Sequence, residues 1–475
     1  MRGRYFVLII VLSGVFMSVL DSVALNIALP AITSDFGVSV AQAQWVVTSY
    51  LLTQTCLLIV AGKISERTGQ ARMFTVGLVV FTISSLLCGL SINLTQLVFF
   101  RVLQGIGASM LFSVSTSIIF LSFDVTDRGK AMGFLGSTVA VGAMLGPVIG
   151  GFLVGTLGWQ SIFFVNVPTG TVAALAAVKI LKIDEYLVDK LDMDLPGTAL
   201  WIISMSSLML MLGWLGQDGV LTRPIIIAFI VFIISLISFI RRESTTSSPL
   251  LDISVFKVKR FTLVGLSMIM FFLSMSMITI LGPFYYEGVL DFDPTIVGLI
   301  FMVMPAVTML GAPLVGKMYD SKRFRPYTIT GHLIRAGSFF LMAYGFLILS
   351  PLLTVVSFFI MGIGSSLFQT PNNTEMMLAL PREKSGLASS IQATARNLSM
   401  AMGISVATIL MTLLMGSMDY GAISGGPLVG ELARSVAIAT VFSGVISIVG
   451  AAISRKTWGL IRREDGTVPV RLEKD

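Results

Sequence analysis

Charge is what this chain has least of. Asp, Glu, Lys and Arg make up 12% of its 475 residues and hydrophobic types 55%, whereas a soluble domain carries about 25% charged residues. That balance excludes an ordinary water-soluble fold and leaves a polytopic membrane protein. Histidine is scarcer still. His332 is the only one, and no Cys or acidic cluster at ligand spacing accompanies it, so neither a metal site nor an intramembrane enzyme is expected. No cofactor is expected either. The two cysteines, Cys56 and Cys88, sit in apolar runs, where they say nothing about a disulfide and read as packing residues. Apolar–polar alternation is also missing, which excludes a transmembrane barrel.

What the chain has in abundance is apolar runs. They are about 20 residues long, the length a helix needs to cross roughly 30 Å of hydrocarbon. They predict helices near 5–30, 41–61, 73–92, 96–121, 131–154, 163–182, 196–215, 222–240, 261–283, 294–315, 326–348, 351–377, 386–415 and 431–454, fourteen crossings in all. Basic residues gather in alternate breaks: Arg2 and Arg4, Lys63 to Arg72, Arg128 and Lys130, Lys179 to Lys190, Arg241 to Arg260, Lys317 to Arg325, Arg382 and Lys384, and the tail from Arg455. The opposite breaks hold Asp35, Asp218, Glu287, Asp291, Asp293 and Asp419, with Arg223 the one basic exception and Arg434 just inside the last helix. By the positive-inside rule both termini are expected in the cytoplasm of a multi-pass cell-membrane protein. The net charge of +7 follows from that topology and does not imply nucleic acid. The basic start and apolar core resemble a signal peptide, but the run is long and no small-x-small site precedes Asp21, so an uncleaved first helix is expected.

Asp21 stands inside that first run with no basic residue near it in sequence. Burying a lone carboxylate in hydrocarbon costs several kcal/mol or forces it to take a proton, so an intramembrane acid is a functional hypothesis by default. Asp21 either binds and releases the coupling proton of a transporter or is a structural hydrogen-bonding residue that holds two helices together.

The sequence also repeats itself. Gly62-Lys63-Ile64-Ser65-Glu66 is echoed by Gly316-Lys317-Met318-Tyr319-Asp320, and Gly105-Ile106-Gly107-Ala108-Ser109 by Gly362-Ile363-Gly364-Ser365-Ser366. The displacements, 316 − 62 = 254 and 362 − 105 = 257, agree. Duplication into two six-helix halves explains this, with the seventh and eighth helices as an insert. The expected boundaries are 1–194, an insert at 195–241, a linker with an interfacial segment at 242–260, a second half at 261–455 and a tail at 456–475.

Four stretches then carry a family likeness. They are Leu20-Asp21 through Ala28-Leu29-Pro30, Gly62 through Arg72, Leu97 through Ala108, and Gly142-Ala143-Met144-Leu145-Gly146-Pro147-Val148-Ile149-Gly150-Gly151. Trp159 through Pro168 and Pro249 through Phe256 add to it. The chain resembles the major facilitator superfamily, of the fourteen-helix drug:proton antiporter type. The resemblance implies an all-α major facilitator fold whose halves rock about a central cavity, giving alternating access to a midplane site. It also implies that the fifth-helix glycines seal that cavity against leak. The loop Gly62, Glu66, Arg67, Gly69, Arg72 departs from the family pattern: Glu66 replaces Asp, Gln70 replaces Arg and Ala71 replaces Lys.

Helix depth relates Asp21 to Arg101. Asp21 lies nine residues before Pro30, roughly 13 Å of rise, and Arg101 about five to seven residues inside the outer end of its helix, roughly 8–10 Å. The two can meet, and Arg101 is expected to face Asp21 directly or through water. Glu375 is a second candidate for proton contact, or else a salt-bridged structural residue. Asn26, Gln104, Arg396 and Asn372 are candidates for the substrate cavity, Gln104 equally for interhelical glue. Gly142, Gly146, Pro147, Gly150 and Gly151 are expected to form a close-packed, bent seam. Glu66 is expected near the N-terminus of the thirteenth helix at Ser385-Gly386, with Gly316 and Asp320 as its second-half counterparts; ordinary positive-inside chemistry explains the loop's basic residues equally well. The expected function is proton-coupled export of amphiphilic or cationic organic compounds by a monomer in the lipid bilayer. The rivals are a monovalent-cation:proton exchanger, a uniporter and a non-transporting receptor.

Overall fold

The computed structural model describes residues 2–38, 40–181, 183, 187, 193–218, 221–246, 248–321, 326–415 and 429–464. Lys182, Lys190, Lys322, Arg323, Arg325, Asp419 and the tail beyond residue 464, used above for topology, lie outside them. Among the described residues there are fourteen long helices: α1 (Arg2–Phe36), α2 (Trp45–Thr68), α3 (Gln70–Gly89), α4 (Leu94–Ser122), α5 (Arg128–Leu157), α6 (Gln160–Ile180), α7 (Leu195–Asp218), α8 (Arg223–Glu243), α9 (Lys259–Gly288), α10 (Pro294–Ser321), α11 (Tyr327–Leu347), α12 (Pro351–Leu378), α13 (Ser385–Met415) and α14 (Val429–Glu464). Thirteen are long and apolar enough to cross a membrane. The exception is α11, whose apolar run is interrupted by His332 and Arg335.

Helix ends follow local chemistry. The Asn93 side chain accepts from the Gln96 backbone N–H at 2.9 Å and starts α4. Gly69, at φ +90°, turns the chain between α2 and α3, a conformation that costs a residue without Cβ little. Several helices outrun their apolar cores: α1 reaches Phe36 and α14 reaches Glu464, because a helix continues after it leaves hydrocarbon.

Helices α1–α6 and α9–α14 form the two bundles. They meet along α5 against α10 and α2 against α13. The inserted α7 packs on both α2 and α13, so it touches one helix of each bundle. The Trp201 indole donates to the Cys56 carbonyl at 3.0 Å, and the Ser405 hydroxyl to the Leu212 carbonyl at 2.8 Å. Where the insert begins and ends, Arg242 holds Asp194 at 2.7 Å, and that hydrogen bond keeps the Asp194 carboxyl below the usual carboxylate range.

The bundles are clasped on the face that carries the α2–α3, α10–α11 and α12–α13 junctions, here called the basic face. Asp320 accepts the backbone N–H groups of Gly129 at 2.7 Å and Lys130 at 2.9 Å. Those are first-turn donors of α5 with no partner inside the helix, and a carboxylate there also meets the positive end of the helix dipole. Gly316 and Gly129 allow the approach: a Cβ on Gly316 would lie 2.6 Å from the Gly129 carbonyl carbon. Gly62 has the same use against α13, where a Cβ would lie 2.8 Å from Ser390 Cβ.

The expectation for Glu66 is corrected here. Lys63, one turn back on α2, holds its carboxylate at 2.8 Å, and the α13 N-terminus instead receives Gln70, whose Nε2 lies 3.3 Å from Ser385 Oγ. Arg67 and Arg72 are exposed. The clasp is thus charged at α5 and neutral at α13.

A partly buried carboxylate at a helix N-terminus contributes about 1–2 kcal/mol. Asp320→Ala is therefore expected to loosen this face. Spin labels at Arg67 and Arg382, exposed residues of opposite bundles, should show a broader and longer distance distribution in the variant. An unchanged distribution would assign the clasp to glycine packing alone.

Candidate functional site

Asp21 is fully buried on α1; α4 and α6 bond its carboxylate, and α2 and α3 hold the groups that do so. Arg101 of α4 reaches it with Nη1 2.7 Å from Oδ2. Asn166 of α6 donates to Oδ1 at 2.7 Å, and Gln104, one turn along α4 from Arg101, donates to Oδ1 at 3.1 Å. The guanidinium is held in turn: Nε donates to the Val46 carbonyl at 2.9 Å, Nη1 also reaches Gln104 Oε1 at 2.6 Å, and its carbon sits 4.2 Å above the Tyr50 ring. Ser85 of α3 accepts from Asn166 at 3.0 Å. Asp21, Arg101 and Gln104 each have 0% exposure. A dry charge pair of this kind is stable because both members are hydrogen-bonded in several directions.

One turn of α1 away, Ser18 shares a 2.7 Å hydrogen bond with the Tyr50 hydroxyl. Ser18 and Ser22 line a central cavity of about 300 Å³ between the bundles, so one layer of side chains separates the cluster from the cavity. The walls come from α1, α2, α4 and α5 on one side and α9, α10, α12 and α13 on the other. Among the described residues they carry four methionines, four valines and two phenylalanines, with amides from Gln54, Gln369, Asn373, Gln392 and Asn397 and one cation, Arg396.

The other candidates separate cleanly. Arg396 faces the cavity, its guanidinium 4.8 Å from the Phe112 ring centre. Gln104 belongs to the Asp21 cluster. Asn26 is exposed one turn beyond the cavity-lining part of α1, its amide turned back to the Ser22 carbonyl at 3.4 Å, so it is not a cavity residue. Asn372 is corrected too: it packs inward, and its neighbour Asn373 takes the cavity position, because one residue turns a helix by about 100°. Glu375 lies outside the cavity, bonded to Arg260 and Tyr319 between α9, α10 and α12.

On α5, Gly142, Gly146 and Gly150 press against Val19, Val23 and Ala24 of α1, and a Cβ on Gly146 would lie 2.7 Å from Val23. Pro147 lies within that helix. Gly151 points into open space, so it is outside the seam. His332 and Arg335 are buried away from the cavity, bonded to Ser267 at 3.1 Å and to the Phe271 carbonyl at 3.2 Å.

The model of the Major Facilitator Superfamily matches residues 11–404, most of the chain. The chain belongs to the major facilitator superfamily. Among relatives of this superfamily, the chain is 34% identical to the riboflavin transporter RibZ of Clostridioides difficile (strain 630), over 85% of this chain and 87% of that one. It is 29% identical to the multidrug export protein EmrB of Escherichia coli (strain K12), over 84% and 78%. Among solved major facilitator structures, the proton:xylose symporter XylE shares the fold at a TM-score of 0.65 and 16% identity, covering 95% of each chain. The human organic anion transporter MFSD10 does so at 0.64 and 12%, over 94% and 99%. The protein is a multi-pass transporter of the cell membrane.

Asn166 and Ser85 were not singled out from the sequence as partners of Asp21. Asn166 offered a signal, a lone amide in the apolar run Ile162 to Val167; Ser85 offered none. Arg101→Leu is expected to leave the Asp21 carboxylate buried and unpaired, at a cost of about 3–5 kcal/mol. Adding Asp21→Asn should recover much of it, read as thermal unfolding in detergent. A double variant no more stable than Arg101→Leu would contradict that balance.

Proposed function

We propose that the protein is a proton-coupled exporter of amphiphilic organic compounds, working as a monomer by alternating access. The observation that carries this reading is the buried Asp21–Arg101–Gln104–Asn166 cluster set one side-chain layer from the central cavity. The rocking units are residues 1–194 and 261–455, with 195–241 as the inserted pair, 242–260 as the linker and 456–475 as the tail. The positive-inside rule puts the basic face in the cytoplasm.

In the clasped arrangement the guanidinium is the counter-charge that stabilises the Asp21 carboxylate. Parting the pair removes that stabilisation in a site of low dielectric, and the carboxylate then binds a proton. The glycine seam supplies a place for this, because α1 carries Asp21 and slides along the smooth face of α5. Occupation of the cavity and proton binding thereby become alternatives, which is the requirement for exchange. The similarity to a multidrug export protein supports the export direction.

The cationic part of the expected substrate range is not kept, since no Asp or Glu lines the cavity among the described residues. A monovalent-cation:proton exchanger is disfavoured for the same reason. Glu375 is assigned a structural use in holding α9, α10 and α12, because Arg260 already neutralises it.

Proteoliposomes with an imposed pH gradient test the reading. Wild-type protein should move a fluorescent amphiphile and protons in opposite directions, and Asp21→Asn should lose proton-driven accumulation by at least tenfold while still binding the amphiphile. Gradient-driven accumulation by Asp21→Asn at the wild-type level would remove Asp21 as the coupling acid. Movement of amphiphile without protons by the wild type would indicate a uniporter.

A further inference from the structure

We propose that the central cavity selects aromatic anions, with Arg396 as the counter-charge that sets the preference. The proposal rests on the exporter reading above and specifies its substrate. Among the described residues the cavity holds one charged side chain, and it is positive. Arg396 forms no ion pair among the described residues, and its guanidinium rests 4.8 Å from the Phe112 ring. A cation on an aromatic face in a low-dielectric site is partly compensated, and an anion completes the compensation.

The two acids set deep in the apolar runs, Asp21 and Glu375, are both occupied. Asp21 is fully buried and taken by Arg101, Gln104 and Asn166; Glu375 is taken by Arg260 and Tyr319. The charge of Arg101 is therefore neutralised within the protein, and that of Arg396, the cation at the cavity wall, is left for a ligand. Guanidinium is the cation suited to this, because its planar fork matches a carboxylate or sulfonate and its faces stack on rings.

The surroundings specify the rest of the ligand. Gln392 lies one turn before Arg396 on α13, joined to Asn373 at 2.7 Å, and its Oε1 is buried without a protein partner. Asn397 is joined to Thr55 of the opposite bundle at 3.3 Å. Met268, Met275 and Met400 with Phe272 form the apolar wall, and thioethers repack readily around rings of varied shape. The result is a largely apolar cavity with amides from both bundles and, among the described residues, one positive charge.

Fluorescein and rhodamine 123 test this, since they share a xanthene ring system and carry opposite charges at neutral pH. Binding is read by fluorescence polarisation to the full chain in nanodiscs. Wild type should bind fluorescein about tenfold or more tighter than rhodamine 123, the scale of a charge-assisted contact. Arg396→Gln should lose that advantage without weakening rhodamine 123, Arg396→Lys should keep part of it, and Arg396→Glu should reverse it. Tighter or equal binding of rhodamine 123 by the wild type, no binding of fluorescein, or an unchanged preference in a folded Arg396→Gln each overturns the proposal. The wild-type comparison decides even if a variant fails to fold. A preference for fluorescein without proton-coupled flux would sink the exporter reading and leave this one standing; coupled flux without the preference would do the reverse.

Discussion

A carboxylate and a guanidinium that no solvent reaches are the constraint around which the first bundle is built. Each would be costly alone in hydrocarbon, and together they are acceptable only with further hydrogen bonds. The chain supplies these from separate helices: the Val46 carbonyl from α2, Ser85 from α3, Gln104 from α4 and Asn166 from α6. The register of those helices is set by the need to satisfy one ion pair, and any movement of α1 must disturb it.

The duplicated halves solve the same mechanical problem with different chemistry. At the basic face, Asp320 meets the N-terminus of α5 while its counterpart Glu66 turns to Lys63 and leaves Gln70 at α13. In the centre, the first bundle neutralises its buried cation and the second leaves Arg396 facing the cavity. Repetition gives the scaffold, and departures from it give each half a separate task. The inserted α7, packed on one helix of each bundle, adds a tie that a twelve-helix arrangement would lack.

Much of this was legible in the sequence. Apolar run length and the alternation of basic breaks located the fourteen long helices among the described residues, though α11 falls short of the apolarity of a span. Depth arithmetic on α1 and α4 brought Asp21 and Arg101 together, since helical rise is constant. What hydropathy does not carry is azimuth. Asn372 and Asn373 read alike in sequence, yet a 100° turn sends the first into packing and the second to the cavity. Gly150 and Gly151 divide in the same way. Glu66 was misplaced for another reason: a lysine one turn away competes more effectively than a distant helix end.

The central claim is that cavity occupation and the protonation of Asp21 exclude one another. The direct measurement is the proton balance of ligand binding, with purified protein in weakly buffered solution, a pH indicator and saturating substrate. Across the pH range of transport, the account predicts a release of up to one proton per ligand by the wild type and none by Asp21→Asn. Equal release by the two, or none by a wild type that binds ligand across the pH range of transport, would contradict it.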